Sequence, residues 1–144
     1  MLIGLNPVLS PDLLFTLAAM GHGDEIAVVD ANFPGASCND RVIRLDGISA
    51  TAAVEAILSV MPLDDFVDDP AHAMQVVGDA ETIPEAVAEF QSIIENVADN
   101  PARIASLERF AFYGRTKSAY AIVQTGERRL YGNLILKKGV VRPS

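Results

Sequence analysis

Few side chains in this sequence can move a proton or attack a carbon near neutral pH: there are two histidines and one cysteine. An imidazole titrates at about 6.5, so both of its protonation states are available at neutrality. His22 stands between two glycines in Met20-Gly21-His22-Gly23-Asp24, which frees its backbone and leaves its ring uncrowded. His72, in Pro70-Ala71-His72-Ala73, has no such setting. His22 is therefore the candidate proton-transfer residue. The same spacing equally suits a histidine that only decorates a helix-to-strand turn, paired with Asp24.

Three further groups have the chemistry to hold a polar ligand. Asp30 ends an apolar run, and in layered α/β sheets ligands bind beyond the carboxyl ends of strands. An aspartate there also suits an Asx turn, with its side chain on the backbone of the following loop. Arg109 sits where a strand passes into a helix and can reach ligand hydroxyls, although a solvated arginine beside Glu108 has little meaning by itself. Tyr131-Gly132-Asn133 supplies a phenol, a flexible glycine and an amide, suited to stacking on a sugar and hydrogen-bonding it; it also reads as an ordinary strand start.

Other chemistries find no support. Gly21-x-Gly23 precedes a strand and lacks a third glycine, so it fails as a dinucleotide loop, and no phosphate-binding loop occurs. Two separated histidines and one cysteine do not compose a metal site. Cys38, in Ala36-Ser37-Cys38-Asn39, matches no activated-thiol pattern.

The elements that must position these residues follow from periodicity and punctuation. Ser10, Pro11 and Asp12 open a helix over 11–20 whose apolar face is Leu13, Leu14, Leu17 and Ala18, stopped by Gly21. Ile26 to Val29 reads as a strand buried on both faces, residues 31–41 as a loop, and Val42 to Leu45 as a second strand. A helix is expected over 49–61, closed by Pro62, then an acidic loop over 64–69. Met74 to Val77 reads as a third strand. Thr82-Ile-Pro-Glu85 reads as a capping box opening a helix to Val97, and Arg103 to Leu107 as a fourth strand. A helix is expected over 110–118. Tyr120 to Gln124 and Asn133 to Lys137 then flank Thr125-Gly126-Glu127-Arg128 as a β-hairpin. Alternating strands and helices predict an α/β layered domain with a mixed sheet.

The chain of 144 residues is of single-domain size. It carries 19 acidic against 11 basic residues, for a net charge of -8, which repels nucleic acid and anionic lipid. Half the residues are apolar, a surplus for so small a domain that predicts burial against other subunits. A lone cysteine, no leader pattern and no long apolar span predict a cytoplasmic protein outside the membrane.

Taken together, Leu9-Ser-Pro-Asp-Leu-Leu14, Met20-Gly-His-Gly-Asp-Glu25, Asp30-Ala-Asn-Phe-Pro34, Arg109-Phe-Ala-Phe-Tyr113 and Tyr131-Gly-Asn133 resemble, in order and spacing, the D-ribose pyranase / fucose mutarotase family. The likeness runs from about Pro7 to Gly139 and is weakest between Met61 and Ala105. It implies a three-layer α/β/α domain over 1–144, needing no cofactor and no metal, assembled as a homodecamer with sites near subunit boundaries. It also implies an isomerase of monosaccharide ring forms. The Arg-Phe-Ala-Phe-Tyr and Tyr-Gly-Asn stretches lean toward exchange of the anomers of L-fucose or a related sugar. Pyranose–furanose exchange of D-ribose, or sugar binding without turnover, are the alternatives. By the same resemblance His22 matches the proton donor, and Asp30, Arg109 and Tyr131, Gly132 and Asn133 match substrate-binding positions, with Tyr113 an additional candidate.

Overall fold

Local signals set the first helix as expected. In the computed structural model, which describes residues 1–144, the Ser10 hydroxyl accepts the Leu13 N–H and Pro11 occupies the first turn of α1 (Pro11–Ala19). Ser49 caps α3 (Ala50–Leu58) in the same way through the Ala52 N–H. Each such cap contributes ~1 kcal/mol by satisfying an N–H that the helix cannot. Between them lie β1 (Glu25–Val29), a short helix α2 (Gly35–Cys38) inside the expected loop, and β2 (Val42–Leu45). The chain continues through β3 (Ala71–Met74), α4 (Glu85–Val97), β4 (Ala105–Leu107), α5 (Arg109–Ser118), β5 (Ala121–Thr125) and β6 (Leu134–Lys137).

The six strands form one sheet in the order β2-β5-β1-β6-β3-β4. β6 runs antiparallel to both its neighbours, and the other pairings are parallel, so the sheet is mixed. Because side chains alternate along a strand, β1 divides its residues between two cores. Ile26 and Val28 join Leu13, Leu17, Ile57, Phe90 and Ile94 in a cluster of 24 buried residues under α1, α3 and α4. Ala27 and Val29 join Phe33 and Phe112 in a cluster of 7 under α5. The result is a three-layer α/β/α domain, as expected, with one face more deeply covered than the other.

The expected C-terminal hairpin does not form. β1 lies between β5 and β6, pairing Ile26 with Ala121 on one edge and with Leu136 on the other. The physical reason is the apolar character of β1: a strand buried on both faces must also hydrogen-bond on both edges, and β5 and β6 supply one edge each. Residues 126 to 133 therefore do not turn tightly but cross the carboxyl end of β1. Gly126 serves close approach, since a Cβ there would overlap the Asp46 carbonyl.

Two smaller expectations also shift. The third strand lies at Ala71–Met74, because Gln75 to Asp79 turns, with a bridge between Val76 and Asp79 and Gly78 at φ 78°. No capping box opens α4: Pro84 precedes its first residue without a side-chain cap, the Thr82 hydroxyl donates to Asp79, and the Glu85 carboxylate accepts from Arg129.

Candidate active site

The carboxyl ends of the parallel strands gather six of the predicted residues. Asp30 follows β1 and is buried; its backbone N–H donates to the Asn133 side chain at 2.8 Å, and its carboxylate accepts the Asn32 N–H at 3.0 Å. The Asx-turn reading is thus correct, and the turn leaves acceptor capacity on the carboxylate, which has about four lone-pair sites. Burial pushes the Asp30 carboxyl above the ordinary carboxylate range, against the opposing pull of hydrogen bonds from Asn32, Asn133, Phe33 and Gly132. A perturbed acid at a strand end is a frequent mark of a functional site.

Gly132 packs over Asp30 and the side chain of Glu127; a Cβ on it would stand 2.7 Å from Glu127 Cγ. Beside it Tyr131 adopts φ 60°, a left-handed conformation that costs a residue with a Cβ ~1–2 kcal/mol. Its phenol ring packs against the smaller core, and its hydroxyl accepts the Val77 N–H at 3.1 Å. Strain held in this way is common where side chains are aimed at a ligand.

Arg109 is the first residue of α5. The Glu108 carboxylate caps that helix by accepting the Phe110 and Ala111 N–H groups, which leaves the arginine without the carboxylate its sequence neighbour seemed to offer. The Arg109 Nε is buried and has no hydrogen-bond partner. Its guanidinium lies over the Phe110 ring at 4.7 Å and borders a cavity of about 350 Å3 shared with Gln75, Val77 and Glu108. A buried guanidinium N–H without an acceptor is costly, and a ligand oxygen would relieve that cost. Tyr113 completes the aromatic wall, 5.3 Å from the Phe33 ring and 6.3 Å from Phe110.

His22 is elsewhere. It precedes β1, whereas Asp30 follows it; five residues of strand at ~3.3 Å each separate the two ends by roughly 17 Å. The antiparallel β6 confirms the polarity, pairing Leu134 with Val28 and Lys137 with Glu25. His22 does not pair with Asp24, whose carboxylate accepts the Gly21 N–H instead. Its Nε2 is 3.0 Å from Oδ1 of Asp64, whose side chain is 2% exposed against 45% for the histidine. The Phe66 ring leans on the imidazole at 4.8 Å.

Asp64 went unnoticed among the acidic residues read as a loop, because it reaches His22 only through the fold. Its N–H donates to the Lys137 carbonyl, and Gly139 lies against its backbone too closely for any Cβ. A carboxylate oxygen accepts, so Nε2 carries the hydrogen and Nδ1 is the nitrogen left to exchange a proton. This is the arrangement in which a buried aspartate orients a catalytic imidazole.

No group of three or more His, Cys, Asp or Glu side chains is placed to hold a metal ion, and no helix is long and apolar enough to cross a membrane.

Comparison with known proteins carries these features to a family. The chain is 47% identical over 140 residues to the L-fucose mutarotase of Haemophilus influenzae, covering 97% of each chain. It is 46% identical over 144 residues to the human fucose mutarotase, covering 96% of this chain and 93% of that one. The crystal structure of the fucose mutarotase from Streptococcus pneumoniae in complex with L-fucose superposes with a TM-score of 0.91 at 47% identity, covering 98% of this chain and all of that one. The model of the RbsD / FucU transport protein family matches residues 3–141, from ahead of α1 to beyond β6, and with that span this chain belongs to the RbsD / FucU family.

Proposed function

We propose that the protein is an isomerase that interconverts the α and β anomers of L-fucose or a closely related monosaccharide, with residues 1–144 acting as one sugar mutarotase domain. The observation that carries this reading is the buried, unpartnered Nε of Arg109, a residue that lines a cavity at the same sheet end as Asp30, Tyr131 and Asn133. The L-fucose complex of a relative at 47% identity supports the choice of sugar.

Ring opening needs one proton delivered to the ring oxygen while the anomeric hydroxyl loses another. The C1–O5 bond breaks, the aldehyde rotates, and reclosure returns either anomer. The protonated imidazole of His22 gives its Nδ1 proton to the ring oxygen while water takes the proton of the anomeric hydroxyl, and both transfers reverse on closure, with Asp64 holding the ring and balancing its charge. Asp30, Arg109, Tyr131, Gly132 and Asn133 hold the sugar, and Tyr113 forms part of the wall. None of these steps calls for a cofactor.

One copy cannot do this, because its own His22 is a strand length away from its own Asp30. We therefore assign His22 and Asp64 of one copy to the sugar held by the next. A contact between two different ends of the same chain is head-to-tail and closes into a ring when the rotation allows, in keeping with the homodecamer that the resemblance implies. Large exposed apolar side chains stand at both ends: Phe66 beside His22, and Val77, Phe110 and Leu130 at the other. The acidic surface and single cysteine favour a cytoplasmic setting.

Saturation-transfer NMR between the anomers of L-fucose tests the activity: added protein is expected to accelerate exchange, and an unchanged rate overturns the reading. The same measurement on D-ribose distinguishes pyranase activity.

A further inference from the structure

The strained Tyr131-Gly132-Asn133 segment lies in a crossing that no strand pairing holds, yet its neighbours carry a concentrated set of ion pairs. Arg129 donates through Nε and its backbone N–H to Glu127 Oε2 at 3.1 and 3.2 Å, and through Nη2 to Oε1 at 2.9 Å. Its Nη1 reaches Glu89 at 2.8 Å and Glu85 at 3.4 Å, both on α4. Glu127 is only 6% exposed, and its side chain lies beneath Gly132, whose backbone N–H in turn donates to the Asp30 carboxylate. The Glu127 carbonyl accepts the Ala31 N–H, tying the same residue to the loop after β1.

We propose that Arg129 is a positioning residue for sugar binding: it clamps Glu127 beneath Gly132 and anchors the Tyr131–Asn133 segment to α4 through Glu89 and Glu85. This rests on the proposed mutarotase reading. The physical basis is the planar guanidinium fork, which meets both oxygens of one carboxylate while a third nitrogen turns to another. A segment in a costly backbone conformation persists only where its surroundings over-determine it: the Ala50 N–H at the start of α3 also donates to the Glu127 carboxylate, while the fork alone ties the crossing to α4. Asp30 feels the same clamp through Gly132 and through Ala31. Arg129 touches no reacting atom, so its loss is expected in binding rather than in the chemical step.

The test combines anomer exchange with amide hydrogen exchange in Arg129→Met, Arg129→Lys and Glu89→Gln. Arg129→Met is expected to raise KM about tenfold or more while kcat stays within about threefold, and to speed exchange of the Ala31 and Asn133 amides about tenfold. The Ile26 and Ile135 amides in the sheet keep their protection. Arg129→Lys, lacking the fork, recovers only part of both effects. Glu89→Gln, at an exposed site that threatens no core, shows a smaller rise in KM of the same kind. The proposal is overturned if Arg129→Met leaves KM and the Ala31 amide unchanged, if kcat falls with KM constant, or if protection drops uniformly through the sheet. Should the wild type fail to accelerate anomer exchange, the mutarotase reading falls by itself. The amide measurement then still decides whether Arg129 is the clamp.

Discussion

The two ends of β1 differ in how they are built. At its carboxyl end Asp30 is buried among side-chain and backbone partners drawn from β5, the 126–133 crossing and the loop after β1. At its amino end His22 is nearly half exposed and fixed by one strong contact, to Asp64. The first end has the character of a receptor: cavity, walls, an unpartnered donor. The second has the character of a tool held out from the surface. On the proposed mutarotase reading, binding needs many converging groups and proton transfer needs one well-oriented ring, so the two tasks can be separated in one chain and rejoined between chains.

The division is broken most severely at His22. His22→Ala is expected to lose ~10²- to 10⁴-fold in exchange rate while keeping its affinity for the sugar. Mixed with Asp30→Asn under conditions that let subunits reassort, it should regain activity, because some sites then pair an intact His22 with an intact Asp30. Failure of mixed assemblies to regain any rate would place both residues in one copy and end the shared-site reading.

Asp64→Asn ranks next, removing part of that ~10²-fold by letting the imidazole choose the other tautomer. With only two histidines in the chain, nitrogen NMR can assign each one. Hydrogen on Nε2 of His22 is expected in the wild type and a mixture in the variant, and identical spectra would deny Asp64 its orienting role.

Asp30→Asn, alone, sharpens the receptor side. It is expected to weaken sugar binding about tenfold or more, through lost charged hydrogen bonds, yet to raise the melting temperature at neutral pH. The folded carboxyl lies above its unfolded value, so the cost of burying the charge is present above the folded value and is relieved as the pH falls through it. The stability difference between variant and wild type should shrink accordingly. Glu127 has the opposite sign: its hydrogen bonds from Arg129 hold its carboxyl below the ordinary value of 4.5. Its stabilisation is present above that value and is lost as the pH falls through the folded one. Glu127→Gln should therefore be the less stable chain at neutrality and converge with the wild type in acid; parallel melting curves at every pH would contradict both assignments. The smallest effect is expected from Ser10→Ala, which loses the cap of α1 at ~1 kcal/mol and lowers the melting temperature with the exchange rate unchanged.

Much of the helical framework was legible because its signals are local. Ser10 and Ser49 cap the helices they precede, Gly21 and Pro62 stop them near where periodicity ends, and the unbroken apolar run from Ile26 to Val29 announces a central strand. The candidate residues were legible for a different reason: glycines around His22 and beside Tyr131 mark backbone freedom next to polar side chains, and the order of the motifs resembled a known family. Strand partners were not legible. Thr125-Gly126-Glu127-Arg128 reads as a turn to any rule that looks only at neighbours, whereas β1 competes for both strands it joins and takes one on each edge.

Sequence by itself determined most of the segments that are helix or strand, β3 and α2 excepted, and which side chains have the chemistry, since those depend on the spacing of apolar residues and on side-chain type. Tertiary structure alone decided that Asp64 meets His22 across 42 residues, that Glu127 and Arg129 lie under Gly132, and that His22 and Asp30 face opposite ways. Each of these turns on how the sheet orders its strands, and that order is set by burying both faces and pairing both edges of β1 at once, a condition on the whole chain that no stretch of it carries.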